Sequence, residues 1–184
     1  MEEVELGYKI CIFGDSGVGK TTLVNRFITN QFSELLKSTL GAAIHIKYLT
    51  IENRRILLQI WDFGGEDRFR FLLPAYARGS MGAIFMYDIT NFNSLKNIDG
   101  WLTVFRESLD EYEKKIPILM VGGKLDLKKD RQCYEKDVLN LLNSKGLVGH
   151  FECSSKTGEN VESIFETMVR EIMKRGSDNY IIFS

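Results

Sequence analysis

The stretch Gly14-Asp15-Ser16-Gly17-Val18-Gly19-Lys20-Thr21 decides how this chain is read. It follows an apolar run, Ile10-Cys11-Ile12-Phe13, and precedes Thr22-Leu23-Val24-Asn25-Arg26-Phe27-Ile28, which reads as a helix. Strand, glycine-bounded loop and helix in that order form a cradle for phosphates. Backbone N–H groups must turn inward around a polyphosphate, and side chains would obstruct them, so the loop needs glycine. A helix that starts near Lys20 turns its positive end toward the same anion. Lys20 then offers a mobile charge to the outer phosphates, and Thr21 a hydroxyl to Mg²⁺. The plain alternative, a glycine-rich turn with no ligand, leaves the coincidence of the three elements unexplained.

The rest of the chain sets bounds on that reading. With 184 residues it has the size of one domain, 1–184, that buries about 70% of its unfolded surface. A net charge of −1 gives no reason to expect nucleic acid as a partner. Cys11, Cys133 and Cys153 are too scattered for a metal site and odd in number for a disulfide framework, so a reducing cytoplasm is expected. The acidic start, Met1 to Glu5, has no signal-peptide character, and no run approaches the ~18–20 apolar residues of a membrane span. The end carries no cysteine for prenylation, and Ile181-Ile182-Phe183 is expected to pack back on the core. Residues 1–6 and 176–184 are otherwise expected to be flexible.

Moving outward, 30–38 is polar and reads as a loop. Alternation over 44–51 and a second apolar run over 56–61 flank the polar turn 52–55, which predicts an antiparallel hairpin. Apolar runs at 81–87, 116–122 and 148–153 read as buried parallel strands, separated by helical patterns at 94–112, 135–145 and 161–175. Such alternation predicts an α/β sheet with helices on both faces and ligands beyond the carboxyl ends of its strands. The polar loops at those ends are 14–21, 62–67, 122–130 and 154–160.

Each of these loops carries residues suited to a nucleotide. Asp62 ends a strand before Gly64-Gly65, so its carboxylate can hold Mg²⁺ opposite Thr21 while a glycine N–H approaches the terminal phosphate. An aspartate capping the next helix is the alternative. Thr39 fits either a Mg²⁺ ligand or a strand-edge residue, and the residues alone do not choose. In Gly123-Lys124-Leu125-Asp126, the Lys124 stem can lie across a purine and Asp126 can accept two N–H groups from guanine, a pair that adenine lacks. Ser154-Ser155-Lys156 would meet the base through a backbone N–H. His45, alternating with apolar residues, is expected to be exposed. His150 has no partner at motif spacing, and 128–131 reads as a solvated turn. Trp101, Leu102, Val104, Phe105 and Leu109 have the spacing of a core-facing helix.

From Tyr8 to about Met173 these features together resemble the Ras superfamily of small GTPases, and its Rab branch most. Besides the loop at 14–21, the resemblance rests on Thr39-Leu40-Gly41 and Trp61-Asp62, and on the run from Glu66 to Arg70. Tyr76, Arg78-Gly79, Tyr87-Asp88-Ile89-Thr90 and the segment from Glu152 to Glu162 extend it. The implied fold is the three-layer sandwich of P-loop NTPases, a six-stranded, mostly parallel sheet with one antiparallel strand and about five helices. The implied activity is that of a switch binding GTP or GDP with Mg²⁺ and hydrolysing GTP. The resemblance assigns Asp15, Ser16, Gly17, Val18, Gly19, Lys20, Thr21, Thr22, Phe32, Lys124, Asp126, Leu127, Ser154, Ser155 and Lys156 to the nucleotide. It assigns Thr21, Thr39 and Asp62 to Mg²⁺, and Lys20, Thr39, Gly65 and Glu66 to hydrolysis. It further implies a monomer whose effector, exchange and activating proteins engage 33–42 and 64–74, with at most a peripheral place on membranes.

Four positions depart from the family's pattern. Glu66 stands where the family has a water-orienting Gln; a carboxylate there adds like-charge repulsion, or, set slightly away, can accept a proton from water, and slower hydrolysis is expected. Gly123 stands where the family has Asn, removing hydrogen bonds of about 1 kcal/mol each, so guanine should bind more weakly. Ile44 occupies the place of an effector-facing Phe. The cysteine tail of the Rab branch does not follow in this sequence.

Overall fold

The computed structural model describes residues 6–34, 38–107, 109–110 and 115–175. Residues 1–5 and 176–184, with Ile181, Ile182 and Phe183 among them, lie outside the described residues, as do 35–37 in the first expected partner segment. Leu6, expected in a flexible end, instead opens the first strand and is buried.

The sheet has six strands in the order β2-β3-β1-β4-β5-β6. These are β1 (Leu6–Phe13), β2 (Ala42–Ile51), β3 (Arg54–Phe63), β4 (Gly82–Asp88), β5 (Ile118–Gly123) and β6 (Gly149–Glu152). Among the described residues, only the β2–β3 pair is antiparallel. Its turn is tighter than the four polar residues suggested: Glu52 and Asn53 alone make it, both with positive φ, and Arg54 already pairs with Ile51.

Successive residues of a strand face opposite ways, and β1 supplies both cores on that account. Tyr8, Ile10 and Ile12 face α1 (Lys20–Thr29) and α6 (Val161–Lys174), where Phe27 stacks on Phe165 at 3.9 Å. Cys11 and Phe13 face the other way, into a core with α2 (Leu73–Ala77), α3 (Phe92–Lys96), α4 (Ile98–Glu107) and α5 (Glu135–Lys145). Helices therefore cover both faces, as expected.

The helix expected over 94–112 is two helices, α3 and α4, and 111–112 lies outside the described residues. Asn91 caps α3 by accepting from the Asn93 N–H, and Asn97 makes the break with ψ near 1°. Its side chain serves a long-range bond instead, described below. The break adds one helix to the expected five, giving six among the described residues.

Along β2 the alternation runs opposite to a simple apolar-in reading. Ile44, Ile46 and Tyr48 are more than half exposed, whereas His45 and Lys47 face the first core. The cause is partnering. Lys47 donates to the Phe27 carbonyl, lies 4.2 Å over the Phe27 ring and pairs with Glu162 at 3.7 Å. His45, expected to be exposed, is thus half-buried, with its Nε2 enclosed. Arg131 also departs from the solvated turn expected of it, because it grips Glu152 with two bonds of 2.5 and 2.6 Å.

Candidate functional site

The carboxyl ends of β1, β3, β4 and β5 open on one side of the sheet, and the loop 14–19 lies between β1 and α1. Gly14 has φ 140°, and a Cβ there would stand 2.1 Å from the Met86 carbonyl oxygen, so β4 itself forbids a side chain. The cleft beyond is lined by Ser16, Gly17, Gly19, Lys20, Thr21, Thr22, Ser38, Thr39, Phe63, Gly64, Gly65 and Glu66. Three segments far apart in the chain thus meet around the start of α1.

Lys20 is buried, and its ammonium donates to the Gly14 and Asp15 carbonyls at 2.7 and 2.8 Å. Burial lowers its pKa to about 8, against the pull of Asp62 and Asp15. A buried cation held only by carbonyls is suited to a polyanion.

Asp62 is fully buried at the end of β3. Its Oδ2 accepts from the Thr21 hydroxyl at 2.6 Å and from Thr39 at 3.2 Å, and those hydroxyls are 2.6 Å apart. Its Oδ1 is enclosed with no hydrogen-bond partner among the described residues. Burial raises the carboxyl's pKa, while Thr21, Lys20, Thr39 and His45 draw it back. Two hydroxyls and a carboxylate whose Oδ1 is unused form a hard-oxygen set, which suits Mg²⁺. A cation there would relieve the burial penalty on the carboxylate.

Glycine is needed again at 65. A Cβ at Gly65 would lie 2.3 Å from the Asp15 carbonyl carbon and the Ser16 nitrogen, so the 64–66 segment rests on the phosphate loop. The Gly64 N–H donates to the Gly41 carbonyl at 2.8 Å, tying that segment to the strand entry beside Thr39. Glu66 reaches the cleft, yet its carboxylate is taken by Arg68 Nε at 2.7 Å, with the arginine largely exposed.

The loops after β5 and β6, expected to hold the base, meet each other. The Leu125 N–H donates to the Cys153 carbonyl at 2.9 Å, and the Ser154 hydroxyl to Asp126 Oδ1 at 2.7 Å. Asp126 is exposed, with its second oxygen available for a base, while Ser154 is buried and also accepts from the Thr157 N–H. Lys124 adopts φ 65° and binds Asp88 at 2.6 Å, a carboxylate that also caps Thr90. Leu127 and Lys156 are exposed, Ser155 and Phe32 half-buried. A Cβ at Gly123 would stand 2.6 Å from the Met86 methyl carbon and 2.9 Å from the Val18 carbonyl. The Met86 side chain therefore fills the place where a longer residue at 123 would reach the phosphate loop.

Asp15 meets Lys20 through its backbone carbonyl. Its carboxylate turns to α4, accepting from Trp101 Nε1 and from Asn97 Nδ2, each at 2.7 Å. The sequence reading placed Trp101 in the core, where it is, but missed its N–H. The signal was there: Asn97 and Trp101 stand four apart on one helical face.

A glycine-cradled anion site, a buried lysine and an oxygen-rich cation site on a mostly parallel sheet define a P-loop nucleotide-binding protein of the GTPase kind. A comparison with protein-family models matches residues 9–174 to the Ras family, and the chain belongs to that family. It is 40% identical over 171 residues to the Ras-related protein Rab-11C of Dictyostelium discoideum, covering 93% of this chain and 75% of that protein. It is 36% identical to RABA2a of Arabidopsis thaliana (94% and 78% covered) and 35% identical to Rab-13 of Canis lupus familiaris (90% and 80%). Rab-type small GTPases bind GTP or GDP with Mg²⁺, and the residues present here fit both groups.

Proposed function

We propose that this protein is a GTP-operated switch that hydrolyses GTP to GDP and phosphate slowly. The carrying observation is the convergence of Lys20, Thr21, Thr39, Asp62, Gly65 and Glu66 on one cleft. Lys20 exchanges its carbonyl partners for phosphate oxygens, and the N–H groups of 15–21 turn toward the same charge. Thr21, Thr39 and Asp62 hold Mg²⁺, which supplies neutralisation of phosphate charge when bound. Gly65 presents its N–H beside the terminal phosphate, because only a glycine approaches the phosphate loop so closely. Glu66 faces the attacking water. Its charge repels the phosphate, and its pairing with Arg68 holds it off the reacting atoms, so water is poorly positioned.

Partner recognition fits the same reading. Leu40, Ile44, Ile46, Tyr48 and Phe71 are exposed apolar side chains on and beside 33–42 and 64–74, next to Trp61 and Tyr76, whose rings are 5.5 Å apart. Apolar surface of this kind belongs to protein contacts. Effector, exchange and activating proteins would sense the nucleotide through it as Thr39 and Gly65 change place. No helix among the described residues is long and apolar enough to cross a membrane. Cys11, Cys133 and Cys153 are free and buried, which suits the reducing cytoplasm proposed for the protein.

The test is a single-turnover assay on protein loaded with GTP and Mg²⁺, beside Glu66→Gln. The expected outcome is slow GDP formation that the variant speeds by about tenfold, or about 1.4 kcal/mol of barrier. A slower variant would make Glu66 a working base. No GDP from either, with GTP retained, would replace the enzyme by a GTP-binding scaffold.

A further inference from the structure

Asp15 presents a puzzle of charge. A carboxylate in the middle of a phosphate loop repels the ligand that the loop is shaped for. The fold answers by turning both carboxylate oxygens away, Oδ1 onto Trp101 Nε1 and Oδ2 onto Asn97 Nδ2. The indole so held is almost wholly buried and packs its ring against Phe13, 6.2 Å between centroids. Over the indole, at 4.2 Å, lies the guanidinium of Arg70. Arg70 also pairs with Asp67 at 3.0 Å, and its Nε is buried without a hydrogen-bond partner among the described residues. The ring's pull is therefore a main hold on that end of the side chain.

We propose that Asp15, Trp101 and Arg70 form a coupling unit, with Trp101 as a positioning residue that ties the conformation of the phosphate loop to that of 67–72. The segment 65–70 is pinned to Asp15 twice. Gly65 rests directly on the Asp15 peptide, and Arg70 reaches the Asp15 carboxylate through the indole. When Gly65 moves at the phosphate, Arg70 must either carry the strain or leave the ring. The segment 67–72 thereby carries the state of the loop to its own exposed Phe71. This inference rests on the reading of the cleft as a nucleotide phosphate site, but the contacts that carry it are made by the protein alone.

The experiment is amide hydrogen exchange of residues 67–72 in full-length protein, stripped of nucleotide and again loaded with tritiated GDP. Trp101→Phe keeps an aromatic ring for Arg70 and Phe13 but removes the N–H together with part of the indole's buried volume, so its effect is read beside Asp15→Ala, which leaves the indole whole. Asp15→Ala removes the acceptor, and Asp15→Asn retains an oxygen to accept from the indole. Exchange at 67–72 should rise about tenfold in Asp15→Ala and in Trp101→Phe, no further in the double variant, and stay near the unmodified rate in Asp15→Asn. Release of tritiated GDP should quicken in the same two single variants. If Asp15→Ala disturbs only the phosphate loop, or if the two effects multiply in the double variant, the coupling is refuted. Should Asp15→Ala fail to fold, Asp15→Leu, which removes the acceptor and leaves the indole whole, decides by the same exchange. An unmodified protein that retains no GDP would sink the nucleotide reading, while the stripped-protein exchange would still rule on the coupling.

Discussion

The two ends of the cleft are held together by different physics. At the phosphate end the chain buries charge: Lys20, Asp62 and the hydroxyls of Thr21 and Thr39 lie among backbone amides and glycines. At the base end it has given up polar reach, because Gly123 offers no side chain and the Met86 thioether occupies the gap toward Val18. Buried charges without a ligand are costly and demand an ionic one. An apolar brace holds the loops in place but adds nothing to base recognition. On the proposed reading, the site should grip phosphate firmly and read its base through few groups, Asp126 above all.

The strongest challenge to the contrast is Lys20→Ala. With the buried cation gone, GDP affinity by equilibrium dialysis should fall more than a hundredfold, about 3 kcal/mol. Unchanged affinity would dissolve the phosphate end altogether. Next in size is Asp126→Asn, which keeps an acceptor for Ser154 but sets an amide where guanine donates. Preference for GTP over ATP in competition should drop roughly a hundredfold while phosphate binding persists.

The brace at Met86 sharpens the comparison further. Gly123→Asn alone should lower stability by about 1–3 kcal/mol through overpacking, read as a shift in the urea midpoint. Adding Met86→Val should restore part of that loss and slow GDP release about fivefold, about 1 kcal/mol for a regained bond. If Gly123→Asn is tolerated without the second change, Met86 is no brace.

The smallest expected effect lies below the base end. His150 on β6 meets the Tyr87 hydroxyl at 3.0 Å, and its pKa is lowered, chiefly by burial and also by Arg131, with Glu152 opposing. The unfolded chain therefore takes up this proton first as pH falls through 6.5, so folding stability declines below that pH and is unaffected above it. Between pH 7.5 and 5.5 the unmodified protein should lose up to about 1.4 kcal/mol more than His150→Gln, measured by urea unfolding.

Much of this was legible beforehand because it is local. The loop 14–21 needs no distant neighbour to be understood, and Asp62 at a strand end before two glycines announces a site. The β2 face was misread for the opposite reason. Alternation states that Ile44 and His45 point apart, but not which of the two finds cover, and at a sheet edge Lys47 wins the inner face through Phe27 and Glu162. The single helix expected at 94–112 failed at Asn97, whose side chain is drawn to a residue 82 positions away.

The sequence by itself determined the class of fold, the phosphate loop and the identities of the groups that can hold a cation and a base. Those follow from backbone geometry and residue chemistry over short spans. Only the tertiary structure decided that the Asp15 carboxylate turns to Trp101 and Asn97, that Met86 fills the space at Gly123, and that Glu66 is claimed by Arg68. Each depends on which distant side chain occupies a few ångströms of shared space, and spacing along the chain does not encode that.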